Sequence, residues 1–351
     1  MKKQFSRRDF IRITAISAGA VALGAYGVKE LMGAGEIKEY SETQPLLGTY
    51  ITLKIVDTDS SHAKAATSDT FAEISRLEAI LSRYSPTSEV SILNSTGAIH
   101  NASSDLIGVF EKAKNIAGIT SGAFDASVLP LLNLYEGWGW SPTAGGGYTP
   151  PDNSIIADKL AVVGFDRMNL SGRDITFDTP GMSLTLDGIA MGYIIDQAAA
   201  ILRQRDLTRV LVGTDSDWSL SGMRQDGQPW QIGITDPRAL DPDALFTAFG
   251  YTNGCLATSG DYEHAFTSDF AWNHIIDPRI GHSPRELASA TVLAPDGASA
   301  DALATAAMVM GISDSLALFN KMSNVQAYLI GKDMKSYTTQ GFNDAIKAAA
   351  S

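Results

Sequence analysis

Asp301 and Thr305 stand four residues apart in Ala300-Asp301-Ala302-Leu303-Ala304-Thr305, a run rich in helix-forming residues. In a helix that spacing projects both side chains from one face. A carboxylate and a hydroxyl are hard oxygen donors that suit Mg²⁺, an ion that completes its shell with water and substrate phosphates. The pair therefore points to phosphate chemistry, although taken alone it equally suits the polar stripe of an ordinary helix. Two further polar strings precede it, Ala257-Thr258-Ser259-Gly260-Asp261-Tyr262-Glu263 and His274-Ile275-Ile276-Asp277-Pro278-Arg279. His274 has the side chain of a general base near neutral pH, but structural histidines are commoner than catalytic ones. Asp277, in a turn ending at Gly281, suits capping of backbone amides.

Phosphate binding also needs backbone donors or a cation. The passage Thr185-Leu186-Asp187-Gly188-Ile189-Ala190-Met191-Gly192-Tyr193 reads as strand, turn and helix start, where small residues admit a ligand and a helix N-terminus favours an anion. It matches neither a Walker nor a Rossmann fingerprint, and Gly188 and Gly192 suit helix packing as well. The chain has no Gly-x-Ser-x-Gly, no Cys/His cluster and no paired-cysteine metal site.

The elements that must hold these residues are legible in outline. Residues 49–55 alternate polar and apolar and predict a half-buried strand. Helices are expected over 61–83, with Phe71, Ile74, Leu77, Ile80 and Leu81 on one face, over 104–120, and over 189–205. Residues 137–153, with Trp138, Trp140, Tyr148, three glycines and Pro150-Pro151, read as a loop. Short apolar runs at 160–163, 175–177 and 183–186 suggest an antiparallel meander, and 211–212 and 230–234 add strands. Strands and helices mix without regular alternation, which predicts an α+β fold of mixed, largely antiparallel sheets with packed helices. No internal repeat or linker divides the body.

Forty-four per cent hydrophobic and 19% charged residues over 351 positions is an ordinary globular composition, long enough for a substantial core. The formal charge is -12, and the first 33 residues hold six Lys/Arg against two Asp/Glu, which leaves -16 on the rest. Nucleic acid is excluded as a natural partner on that balance. Cys255, the single cysteine, cannot form an intramolecular disulfide and reads as a small core residue. Residues 1–33 resemble a twin-arginine export signal: Ser6-Arg7-Arg8-Asp9-Phe10-Ile11-Arg12 precedes a weakly apolar run from Ile13 to Val28. The expectation is a signal over 1–33, a body over 34–351, and a periplasmic location.

Taken in order, the strings resemble the ApbE family of FAD:protein FMN transferases. The resemblance runs through Leu47-Gly48-Thr49, the stretch from Leu81-Ser82-Arg83-Tyr84-Ser85-Pro86 to Asn94, Ser121-Gly122-Ala123-Phe124-Asp125, Pro130-Leu131-Leu132-Asn133-Leu134, Gly188 to Tyr193, and the three strings above. It implies an ApbE-like, T-fold-like architecture. It also implies a periplasmic, Mg²⁺-dependent enzyme that splits FAD, releases AMP and attaches FMN to a Thr or Ser of an acceptor flavoprotein in a periplasm-facing electron-transfer system. By position it implies Asp301, Thr305 and the Gly188 carbonyl as metal ligands and His274 as the group acting on the incoming hydroxyl. Leu47, Tyr84, Ala123, Phe124, Asp125, Thr185, Asp187, Met191 and Ile276 are the implied dinucleotide contacts. The family pattern Asp-Leu-Gly-Gly-x-Ala-Lys-Gly-Tyr is altered, with Thr185 for the Asp, Asp187 for the first Gly and Met191 for the Lys. Two positions along a strand keep one face, so Asp187 is expected to replace the missing carboxylate. Val212-Gly213-Thr214-Asp215-Ser216-Asp217 departs from the family's Asp-x-Gly-Gly-Glu as well. The variant is similar to the branch associated with nitrous oxide reductase maturation. A FAD-binding or flavin-delivery protein without transfer, and a FAD pyrophosphatase, are the competing readings.

Overall fold

The computed structural model describes residues 37–137, 148–241 and 243–348. The expected signal segment lies outside these residues, as do Trp138, Trp140 and the three consecutive glycines. The chain opens with β1 (Lys38–Leu46) and β2 (Thr49–Asp57), joined by a two-residue turn in which Leu47 and Gly48 both have positive φ. Paired positive φ values match the twist of a tight hairpin. Ile51, Leu53 and Ile55 alternate on β2 and all enter the main core.

An eight-stranded, wholly antiparallel sheet organises the molecule. Its order is β1, β2, β6 (Val210–Gly213), β7 (Asp217–Ser221), β10 (Gly254–Gly260), β11 (Leu287–Ala294), β12 (Gln326–Gly331) and β13 (Ser336–Thr338). Every residue of β11 is buried, because both faces of the sheet are covered there. On one face lie helices α1 (Ser60–Leu81), α6 (Ala190–Gln204) and α7 (Gly297–Phe319), whose apolar sides fill the main core. The other face carries the hairpin β8 (Trp230–Thr235) and β9 (Leu245–Tyr251), packed through Trp230, Ile232 and Phe249 against Leu211, Leu220 and Phe342 of helix α8 (Phe342–Ala348). A small sheet of β3 (Ala98–Ile99), β5 (Asp174–Phe177) and β4 (Met168–Ser171) completes the α+β architecture with helices α2 (Glu89–Thr96), α3 (Ser104–Ile119), α4 (Leu129–Gly137) and α5 (Asn153–Leu160).

Helix α1 follows the expected periodicity. Asp59 caps its start by accepting from Ser61 and His62 N–H, and Ser82 ends it in extended conformation. Two expected strands are absent. Residues 160–163 finish α5 and turn, and residues 183–186 are extended but join no ladder. Their hydrogen bonds go elsewhere: the Asn94 side chain takes both the N–H and the C=O of Leu184, at 2.6 and 2.8 Å, and Thr185 N–H donates to Ala126 O at 2.8 Å.

Candidate active site

The candidate site forms where the extended run 182–186 turns at Asp187 and enters α6 without a side-chain cap. In an uninterrupted helix the Gly192 N–H would return to the Gly188 carbonyl. Here Gly192 N–H donates to Asp301 Oδ2 at 3.1 Å, so the Gly188 carbonyl stays outside the helical ladder. Helices α6 and α7 approach so closely that a Cβ on Gly192 would lie 2.1 Å from the Gly297 carbonyl oxygen, and only glycine permits that contact. Asp196 on α6 tightens it by accepting from Gly297 and Ala298 N–H at 2.6 and 3.0 Å.

Asp301 and Thr305 do share one face of α7, as their spacing demands. A Cβ on Gly188 would sit 3.0 Å from Thr305 Oγ1 and 3.5 Å from Phe124 Cε2, so Gly188, Thr305 and Phe124 converge. Ser259, near the end of β10, adds a hydroxyl 3.3 Å from Thr305 Oγ1. Asp301 is 6% exposed. Burial pushes its carboxyl well above the usual range, and the charges of Asp217, Asp187 and Asp196 push the same way against one Gly192 N–H. Such a carboxylate ionises readily only beside a cation. One turn along the same helix face Thr305 adds a hydroxyl, itself beside Gly188 and the Ser259 hydroxyl, and such oxygens are the donor chemistry of Mg²⁺. Among the described residues no group of three or more His, Cys, Asp or Glu could hold a metal, which argues against a zinc-like cage. Asp301 with neutral oxygens, on a flank made more acidic by Asp217, Asp187 and Asp196, instead fits a cation that shares its shell with phosphates.

The flanking candidates divide by what holds them. Asp125 accepts from Ser127 N–H, Ser127 Oγ–H and Phe165 N–H, at 2.8, 2.5 and 3.1 Å, and thereby shapes the turn that carries buried Ala123 and Phe124. Burial pushes its carboxyl upward, against those hydrogen bonds. Leu47 donates its N–H to Glu78 Oε1 at 3.1 Å, which ties the first hairpin to α1. Tyr84 is 72% exposed, a ring open for stacking.

Asp187 does not stand in for a carboxylate at 185. Thr185 is buried and Asp187 exposed, because the chain has already left extended geometry: Asp187 N–H bonds back to Thr185 Oγ1 at 3.1 Å. Asp187 pairs instead with Arg83 Nε at 2.6 Å and accepts from Tyr84 Oη at 3.3 Å. Arg83 also donates to Tyr84 Oη and Glu136 and lies 4.2 Å from the Tyr84 ring centroid. Met191 packs against the main core and supplies no charge.

His274 and Ile276 come from the loop after β10. Asn273 N–H donates to Ser283 Oγ, Ser283 Oγ–H donates to Asn273 O and Ile275 N–H donates to Asn273 Oδ1, which locks this loop, and Tyr135 Oη donates to Gly281 O at 2.8 Å. Asp277 makes the expected turn, accepting from Arg279 N–H at 2.9 Å and pairing with its guanidinium. Ile276 is buried beside Leu131, Tyr135 and Phe266. The His274 ring is packed edge to face on His264, with centroids 5.2 Å apart, and its buried Nδ1 has no partner. Burial, with the His264 charge, pushes its pKa down to about 3. No hydrogen bond joins His274 to Asp301 or Thr305 among the described residues.

A family model described as ApbE family matches residues 47–329. The chain belongs to the ApbE family. Among its ApbE relatives, a Haemophilus influenzae protein named FAD:protein FMN transferase is 30% identical over 343 residues, spanning 93% of this chain and 95% of its own. One of the same name from Vibrio cholerae is 28% identical over 305 residues, spanning 85% and 90%. A solved structure titled flavin transferase ApbE from Vibrio cholerae matches with a TM-score of 0.76 at 27% identity, covering 88% of this chain and 99% of that one. Within this ApbE chain, Arg83 and Ser259 are site neighbours that motif positions did not single out. Arg83 entered only as the end of the expected helix and as part of the family-like stretch, and its ion pair spans 104 residues of sequence.

Proposed function

We propose that this chain transfers flavin from FAD as a Mg²⁺-dependent FAD:protein FMN transferase, linking FMN to a Thr or Ser hydroxyl of an acceptor flavoprotein and releasing AMP. The observation that carries the reading is the convergence of buried Asp301 with Thr305 and Gly188 in a chain whose relatives bear that name. Asp301, Thr305 and the Gly188 carbonyl would hold the metal. When bound, Mg²⁺ supplies charge stabilisation at the pyrophosphate.

The chain's own residues do the rest. Tyr84 offers its exposed ring to the flavin, held against Arg83 and Asp187. The turn at Ala123 to Asp125, with Leu47, Thr185, Met191 and Ile276, walls the dinucleotide. His274 is neutral near physiological pH and keeps an unpartnered Nδ1, though burial, which pushes its pKa down to about 3, makes it a weaker base than a free imidazole. As the acceptor oxygen bonds to the FMN phosphorus, the P–O bond to AMP breaks, AMP keeps that electron pair, and His274 takes the hydroxyl proton. In our reading residues 1–33 are an export signal and the activity is periplasmic, and the Thr185-to-Met191 wall likens the chain to the nitrous oxide reductase maturation branch.

The test incubates the protein with FAD, Mg²⁺ and acceptor domains bearing a Thr, and reads acceptor mass and free AMP. An FMN adduct with one AMP each is expected. AMP without adduct would show a pyrophosphatase, and FAD retained unchanged would show a binding or delivery protein.

A further inference from the structure

A cleft of about 870 Å³ opens beside the candidate active site, walled by Arg83, Asn94, Ser95, Asn133, Phe177 and Ser183 among others. None of the candidate dinucleotide or metal residues lines it, yet it ends within one side chain of them. Arg83, at its inner end, pairs with Asp187 at 2.6 Å, and Asp187 directly precedes Gly188. One wall is the extended run 182–186, which leads into the same turn.

That wall has an open backbone position. Leu184 spends its N–H and C=O on Asn94, and Thr185 spends its N–H on Ala126. Between Leu184 and the 179–182 turn, Ser183 keeps both backbone groups without a protein partner among the described residues. An extended segment with a free donor and acceptor is a template for another extended chain. Hydroxyl and amide side chains recur in the lining, and its two charged side chains are partnered, Arg83 by Asp187 and Glu136 and Asp178 by the Asn169 amide. Such a cleft does not select a charged ligand. From Ser183 to Gly188 the chain spans at most roughly 18 Å, the reach of about five extended residues.

We propose that this cleft binds the acceptor protein as an extended, uncharged segment, paired with Ser183 and delivering its Thr or Ser hydroxyl past Arg83 to the metal site. The inference rests on the transferase reading and names where its second substrate enters. Ser95 and Asn133 line the cleft and are exposed, so Ser95→Arg and Asn133→Arg obstruct it without touching the core.

The probe is a flavoprotein domain that the native protein labels with FMN. Each variant should raise the KM for that domain at least tenfold, while FAD affinity stays within twofold of native. An acceptor KM within twofold of native in both variants would overturn the proposal. So would a parallel loss of FAD affinity, which would make the cleft part of the dinucleotide site. If the native protein labels no acceptor at all, the transferase reading itself fails, and that outcome needs no variant to be seen.

Discussion

At the scale of single residues the account turns on Asp301. Its carboxyl is held above the usual range by burial and by Asp217, so the metal-free folded state keeps a proton that the unfolded chain releases. That contribution to stability is present at acid pH and is lost as pH rises through the raised folded value. Added Mg²⁺ should therefore raise the melting temperature more at pH 8 than at pH 5.5, and Asp301→Asn should abolish the difference; scanning calorimetry at the two pH values checks both. His274 has the opposite sign. Its folded value, about 3, lies below the ordinary 6.5, so protonation favours unfolding. Stability should fall as pH drops from about 6.5 toward 3, and His274→Gln should flatten that limb of the urea-unfolding profile. The same variant should slow transfer by about 10²-fold or more, the usual worth of a positioned base.

At the scale of elements, the site depends on how closely α6 and α7 approach. Gly192→Ala would place a methyl against the Gly297 carbonyl, and one helix must move. We expect a loss of roughly 1–3 kcal/mol, as for other overpacked contacts, read by denaturant unfolding, together with weakened Mg²⁺ binding because Asp301 loses its Gly192 donor. Helical spacing made Asp301 and Thr305 legible as a pair, and the periodicity of α1 was equally plain. The run 183–186 misled because its apolar residues look like a strand, while Asn94, 90 residues earlier, captures the hydrogen bonds a ladder would need. Asp187 misled for the same reason, since face arguments hold only while the chain stays extended. Arg83→Met should release Asp187 and Tyr84 together and weaken FAD binding about tenfold, measured by flavin fluorescence; a double-mutant cycle with Asp187→Asn should show the two effects are not additive.

At the scale of the whole molecule, one antiparallel sheet covered on both faces brings together residues as distant as Gly188, Ser259 and Thr305. The α+β class followed from irregular alternation of apolar runs, but the order of the eight strands did not, because register between distant strands leaves no local trace. The family resemblance supplied what periodicity could not, namely an expectation of which polar residues share a site. The most direct measurement is the ratio of AMP released to FMN bound on the acceptor as Mg²⁺ is titrated, in the native protein and in Asp301→Ala. In the native protein AMP and acceptor-bound FMN should rise together from nothing with Mg²⁺, in a ratio of one, and the variant should show no turnover. Labelling that persists in Asp301→Ala, or proceeds equally in chelator, would contradict it.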